Sequence, residues 1–122
     1  MDVQGANYKE LIAYKKSYEM VKNVYRITKD FPKEELYGLT SQLRRACVSV
    51  PSNIAEGYRR GPKEYLHFLR VALGSASEIE TMLSLCKDLE YVDNKEIDDI
   101  YALNEETTKL LVTYINKLSR KG

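Results

Sequence analysis

The sequence has 122 residues, of which 30% are charged and 43% hydrophobic, a composition typical of one globular domain with a real core. The formal net charge of +1 does not favour a strongly basic nucleic-acid-binding protein. Its apolar stretches are far shorter than the roughly 20 residues of a membrane span, and residues 1–5 lack the basic and then apolar layout of a signal peptide. We therefore predict a cytoplasmic protein with a single domain over residues 1–122, without membrane contact.

The first predicted helix runs from about Tyr8 to Asp30. Its apolar face repeats at three- and four-residue steps, at Leu11, Tyr14, Tyr18, Val21 and Tyr25. Phe31 and Pro32 end this helix, because the residue before a proline is pushed out of the α region.

The second predicted helix begins near Lys33 or Glu34. Pro51 falls within its apolar pattern and removes the hydrogen bond to the carbonyl of Cys47, so we predict a kink there. The segment Arg59-Arg60-Gly61-Pro62 then predicts a turn. Within it, we expect Gly61 to take the left-handed C-cap conformation and Pro62 to begin the next helix.

The third and fourth helices have clear patterns. The third carries the cleanest heptad repeat of the chain, at Tyr65, Phe68, Ala72, Ser75, Ile79, Met82, Cys86 and Leu89. The fourth begins near Asn94, a good N-cap residue, and places acidic side chains in its first turn, where the helix dipole favours them.

Four long helices joined by short turns predict an all-α protein, an antiparallel up-and-down four-helix bundle. With the second turn centred near Gly61, residue i of the second helix lies level with residue 122 − i of the third. This level rule places Arg44 beside Glu78. It also places Arg70 within reach of Glu56. We interpret the polar residues near this helix pair as a structural cluster rather than an active site: Asn53, Glu56, Arg70 and Glu78.

The sequence offers little catalytic chemistry. A single histidine, His67, supports neither a metal cluster nor a charge relay. The cysteines Cys47 and Cys86 are too few for a metal motif, and the level rule separates them too widely for a disulfide, so we expect reduced, buried thiols. We predict no catalytic residue, metal, cofactor or small-molecule substrate, and therefore no enzyme.

Basic side chains in the second helix and the following turn are candidates for phosphate contact, since guanidinium groups bind phosphate oxygens in pairs. Tyrosines close to them can stack on unpaired bases, although tyrosines at heptad positions are more often core or interface residues. Nucleic-acid binding and an ordinary solvated surface both remain open for these residues: Arg44, Arg45, Arg59, Arg60 and Lys63.

Ten tyrosines are more than one four-helix core takes up comfortably, because each hydroxyl needs a hydrogen-bond partner. We therefore expect some of them at contacts between subunits. The composition predicts a homo-oligomer.

Several segments together resemble the four-helix-bundle family first noted in intervening sequences of bacterial 23S ribosomal RNA genes. The similarity extends from about Leu11 to Leu118, and Tyr14 departs from it where relatives often carry tryptophan. The segments that carry the resemblance are Ser41–Ala46, Val48–Gly57, Phe68–Arg70 and Gly74–Thr81.

The resemblance implies a small bundle that assembles into a closed ring, in some relatives a pentamer, without a defined activity. A related branch serves as the accessory protein of diversity-generating retroelements, where a basic ring is thought to bind reverse transcriptase and nucleic acid. Two functions are therefore expected. The first is a non-enzymatic, ring-forming interaction protein, whose partners include other copies of itself or another protein. The alternative is an RNA- or DNA-binding accessory that acts with a reverse transcriptase or ribosomal RNA.

Overall fold

A computed structural model of the protein describes residues 8–121. In this part of the chain four α-helices follow one another without any strand: α1 (Ile12–Thr28), α2 (Leu39–Tyr58), α3 (Pro62–Asp88) and α4 (Asn94–Lys121). The predicted all-α bundle is confirmed. The signal-peptide expectation concerns residues 1–5, which lie outside the described residues.

The helices form a bundle in which α1 packs on α2 and α4, and α3 packs on the same two helices. Large apolar side chains from all four helices fill the space between them, among them Met20, Leu43, Ile54, Leu69, Ile79, Leu83, Ile100 and Leu111. Two contacts show how α2 and α3 align. Ser49 and Ser75 share a hydrogen bond of 2.8 Å, and the rings of Tyr58 and Tyr65 lie 5.7 Å apart. Residue numbers rise along one helix as they fall along the other, and the predicted level rule holds within two residues.

Both of the first two helices begin later than predicted, each after a short 3₁₀ turn. For α2 the cause is Glu35, whose carboxylate accepts hydrogen bonds from the Leu39 N–H at 3.1 Å and from the Tyr91 hydroxyl at 2.8 Å. These two donors lower the pKa of Glu35. A negative charge at this position also suits the positive end of the helix dipole. The carboxylate thus sets the first residue of α2 and ties it to the connection between α3 and α4.

The turn between α2 and α3 differs from its prediction. Gly61 has φ of −69° and ψ of 168°, an extended conformation, so its predicted left-handed C-cap role is wrong. The last turn of α2 is instead closed by a bond of 3.0 Å from the Arg60 N–H to the Gly57 carbonyl, which leaves no need for a left-handed residue. Pro62 is the first residue of α3, as predicted.

Pro51 lies inside α2 and is buried, and the helix is uninterrupted across it. The Asn53 amide donates to the Ser49 carbonyl at 2.7 Å and to the Ser49 hydroxyl at 3.0 Å. Side-chain hydrogen bonds therefore accompany the proline, while the predicted kink stays a prediction.

Gly57 lies where α2 approaches α3 closely. A methyl group added there would lie 2.6 Å from the Cβ of Phe68 and 3.1 Å from a ring carbon of Tyr65. The Phe68 Cβ is bonded directly to the backbone of α3, so it cannot move away without a shift of the helix. The hydrogen of glycine is what permits this approach.

We therefore expect Gly57→Ala to lower the free energy of unfolding by about 1–3 kcal/mol, the usual cost of overpacking. This happens although alanine is the better helix former by about 1 kcal/mol. The matched control is Gly74→Ala in α3, where nothing lies within 4 Å of the added carbon. It should raise stability by up to about 1 kcal/mol. Urea unfolding of both variants at equal protein concentration measures the difference, and equal stabilities would contradict the close approach at Gly57.

Candidate interaction surface between α1 and α2

Two stripes of apolar or aromatic side chains run along α1, and only one of them faces the core. The buried stripe consists of Ala13, Ser17, Met20, Val24 and Ile27. The stripe predicted from the sequence lies beside it, and its tyrosines Tyr14, Tyr18 and Tyr25 are half-buried or exposed. The predicted period was right, but the face that enters the core is the neighbouring one. Tyrosine was a poor marker of the core because its polar hydroxyl suits the surface.

The tyrosine stripe of α1 borders a groove along α2. One part of the groove has a volume of about 310 Å³ and contains Tyr8, Tyr14 and Tyr18. A second part of about 540 Å³ is lined by Tyr25, Leu36, Tyr37, Arg44 and Arg45 among others. Val48 lines both parts, which makes them one continuous surface. We call this surface the α1–α2 groove and define it by Tyr8, Tyr14, Tyr18, Tyr25, Leu36, Tyr37, Arg44, Arg45 and Val48.

The groove exposes side chains that the core does not use. Tyr37 is 92% exposed, and Tyr18, Tyr25, Leu36 and Val48 are exposed as well. None of the ten tyrosines, all of which fall within the described residues, is fully buried. A contiguous exposed patch of apolar and aromatic groups is a mark of an interaction surface.

Arg44 and Arg45 lie at one end of the groove. The Arg44 Nε donates to the Thr28 hydroxyl at 2.8 Å, and the guanidinium carbon lies 4.7 Å from the centre of the Tyr25 ring. Thr28 in turn donates to the Val24 carbonyl at 2.7 Å. These contacts hold the Arg44 side chain in place, with its terminal nitrogens unpartnered among residues 8–121. Arg45 is exposed beside it.

The remaining predicted basic residues lie at the far end of α2. Arg59 stacks on the Tyr8 ring at 5.1 Å, whereas Arg60 is held by Glu56 at 2.6 Å and by Glu64 at 3.2 Å. Lys63 is exposed. Arg44 and Arg59 are fifteen residues apart, about 22 Å along the helix axis. The five candidates therefore form two separate groups, and in one group Arg60 is already paired with carboxylates.

The predicted polar cluster is dispersed in the structure. Asn53 bonds to Ser49, Glu56 pairs with Arg60, and the Arg70 guanidinium donates to the Ser119 hydroxyl at 3.3 Å. Glu78 is exposed on α3 and has no partner among the residues that the structure describes. The predicted pair of Arg44 with Glu78 does not form within the chain, because Arg44 lies on the side of α2 that faces α1.

Comparison with known proteins identifies the family of this chain. The model of the family described as 23S rRNA-intervening sequence protein matches residues 9–113, which include α1, α2, α3 and most of α4. The chain belongs to the 23S rRNA-intervening sequence protein family. The resemblance predicted from the central segments is thereby confirmed.

A solved structure with the same architecture supports the membership of this family. It is a crystal structure of a protein of unknown function from the S23 ribosomal protein family of Bacteroides thetaiotaomicron VPI-5482. The TM-score is 0.78 at 25% identity, over 86% of this chain and 96% of the other. No protein with a curated description matches the sequence.

The described part of this 23S rRNA-intervening sequence protein holds few reactive groups. Cys47 and Cys86 are free and buried, and burial raises the pKa of Cys47 to about 12 and that of Cys86 to about 11, so both stay protonated and weakly nucleophilic. His67 is exposed. Residues 8–121 contain no group of three or more His, Cys, Asp and Glu side chains that could hold a metal ion. None of the described helices is both long and apolar enough to cross a membrane.

Proposed function

We propose that this protein is a non-enzymatic, cytoplasmic interaction module with one domain, which assembles with copies of itself through the α1–α2 groove. The observation that carries this proposal is the exposed aromatic stripe of α1 and its continuation at Leu36 and Tyr37. Tyrosine and arginine are the residue types that most often dominate the energy of protein interfaces. The groove contains both.

The exposed side chains of the groove contribute free energy to association when they are covered. Burial of apolar surface is worth roughly 25 cal/mol per Å², and five large side chains of the groove are exposed, four of them by 38–51% and Tyr37 by 92%. A contact that covers all of them offsets a substantial part of the entropy lost on association. The family resemblance supports a closed ring as the form of assembly, and a pentamer is one ring size in keeping with it.

Tyr37 provides the sharpest test of this assembly. Because its side chain is 92% exposed, Tyr37→Ser should change the stability of the folded chain by less than about 0.5 kcal/mol. The same change should raise the dissociation constant of the oligomer about 10- to 100-fold, as expected when an interface tyrosine is truncated. Sedimentation velocity over a range of concentrations measures the effect.

The matched control is Val112→Ser, an exposed residue of α4 outside the groove, which should assemble like the parent chain. A parent protein that sediments as a 14.1 kDa monomer at high micromolar concentration would reject the proposal.

A second function, as an RNA- or DNA-binding accessory of a reverse transcriptase or of ribosomal RNA, is favoured by one feature. Arg44 and Arg59 stack on tyrosines at the two ends of the groove, and tyrosines line the space between them. Stacking platforms flanked by cations are typical of surfaces that bind single strands. The near-neutral charge of the whole chain weighs against this function.

Retention of single-stranded RNA by the purified protein separates the two functions. If RNA binds the groove, retention should be strongest at about 50 mM salt and weaken steeply as salt rises. Arg45→Ala should then reduce retention severalfold. Arg60→Ala should reduce it little, because Glu56 and Glu64 already neutralise Arg60. No retention at low salt would reject nucleic-acid binding and leave the assembly proposal standing.

A further inference from the structure

The outer side of α3 carries a stripe of exposed side chains that has no partner in the bundle. Its members recur at seven- and four-residue steps and therefore lie along one face of the helix. Leu85 is 46% exposed, whereas core-facing residues of the same helix such as Ile79 are fully buried. We call this stripe the α3 ridge and define it by Val71, Glu78, Leu85 and Leu89.

The ridge and the groove carry opposite charges. The charged member of the ridge is Glu78, which is exposed and has no partner among the residues that the structure describes. The α1–α2 groove is lined by Arg44 and Arg45 and by no carboxylate among the described residues. Surfaces of opposite charge steer each other into contact and fix its register.

The two surfaces also match in height along the bundle. The bond between Ser49 and Ser75 fixes the level of α2 against α3. Ala46 lies three residues before Ser49, and Glu78 lies three residues after Ser75. Because α2 and α3 run in opposite directions, Ala46 and Glu78 are at the same level. Glu78 is therefore within about 3 Å of the level of Arg44 and Arg45, at 1.5 Å per residue.

The apolar side chains of the two surfaces also lie at matching levels along the bundle. Ten residues from Ser75 along α3 lies Leu85, and ten residues from Ser49 along α2 lies Leu39. Leu39 directly follows the connection that carries Leu36 and Tyr37. On the ridge, Leu85 lies beyond Glu78 towards one end of the bundle. On the groove, Leu36 and Tyr37 lie beyond Arg44 and Arg45 towards the same end.

Because the ridge and the groove match in height, they can join copies of the chain by rotation alone. Rotation about an axis parallel to the helices moves a copy around without shifting it along the axis, so the ridge of one copy meets the groove of the next at equal level. A contact between two different surfaces forms a ring when the rotation closes and a helical filament when an axial shift accumulates. Equal levels favour the ring.

We propose that the α3 ridge of one copy occupies the α1–α2 groove of the next copy, with Glu78 opposite Arg44 and Arg45 and Leu85 against Leu36 and Tyr37. This inference rests on the proposed function and adds which two surfaces meet. The pair of Arg44 with Glu78, absent within the chain, then forms between chains.

The test uses two variants, each with one surface blocked. Val48→Glu blocks the groove and Leu85→Arg blocks the ridge, and both residues are exposed, so each variant should fold like the parent chain. Each change should raise the dissociation constant about a hundredfold, since Val48→Glu places a like charge close to Glu78 of the next copy and Leu85→Arg places a charge among apolar side chains. An equimolar mixture of the two should form a heterodimer of twice the monomer mass, because one intact groove then meets one intact ridge. Val112→Arg on α4 is the control and should assemble like the parent.

Sedimentation velocity distinguishes the outcomes. Two monomeric variants whose mixture yields the heterodimer support the inference. A monomeric Val48→Glu beside a normally assembling Leu85→Arg overturns it and leaves the proposed function intact, since the groove would then contact a different surface. A mixture that remains monomeric, with both variants folded by circular dichroism, also overturns it. A monomeric parent chain rejects the proposed function itself.

A charge exchange tests the same contact independently. Glu78→Arg should weaken assembly about tenfold, and adding Arg45→Glu to the same chain should restore it, because the ion pair re-forms with reversed polarity. Failure of the double variant to recover any assembly would contradict the pairing of Glu78 with the arginine end of the groove.

Discussion

A helix in a four-helix bundle can turn only one stripe of its surface towards the core, and α1 carries two. The core takes the stripe of small and aliphatic residues, from Ala13 to Ile27, and the tyrosines are left outside beside α2. The position of the α1–α2 groove follows from which stripe of α1 faces the core. Of the α1 tyrosines, Tyr14 packs partly against the core, whereas Tyr18 and Tyr25 are exposed. The groove forms where these tyrosines border α2.

The frame behind the groove is held by packing and by a few polar contacts. Gly57 lets α2 approach α3 closely, and the Ser49–Ser75 bond fixes their level. On the other side of α3, the buried Asn104 amide donates to the Ala76 carbonyl at 2.9 Å and sets the position of α4. Because these contacts define the height of every residue on the bundle, the charge and apolar patterns of two outer surfaces can be compared level by level.

Much of the fold could be predicted from the sequence, and the errors have identifiable causes. The start of α3 at Pro62 follows from backbone chemistry, and the heptad spacing correctly predicted core residues such as Ala72 and Ile79. The same heptad placed Leu89 in the core, where the structure has it 45% exposed, and omitted the buried Leu69 and Leu83. The start of α2 was missed because it depends on Glu35 and Tyr91, residues far apart in sequence. The role of Gly61 was wrong because a 3₁₀ bond closes the helix before it. At the site, the arginines were recognised as surface residues. The tyrosines of α1 were assigned to its core-facing stripe, and only the large number of tyrosines in the chain indicated contacts between subunits. The groove that these residues share could not be predicted from the sequence. Its position depends on which stripe of α1 faces the core and on the hydrogen bond that turns Arg44 towards Thr28.

The central claim is that the α1–α2 groove is covered when copies of this chain assemble. The most direct measurement is hydroxyl-radical labelling of the tyrosines, read by mass spectrometry in dilute and in concentrated protein. Labelling of Tyr18, Tyr25 and Tyr37 should fall severalfold at the higher concentration, while that of Tyr101, on α4 outside the groove, stays constant. Equal labelling of Tyr37 at both concentrations, in a sample shown to be assembled, would contradict the account.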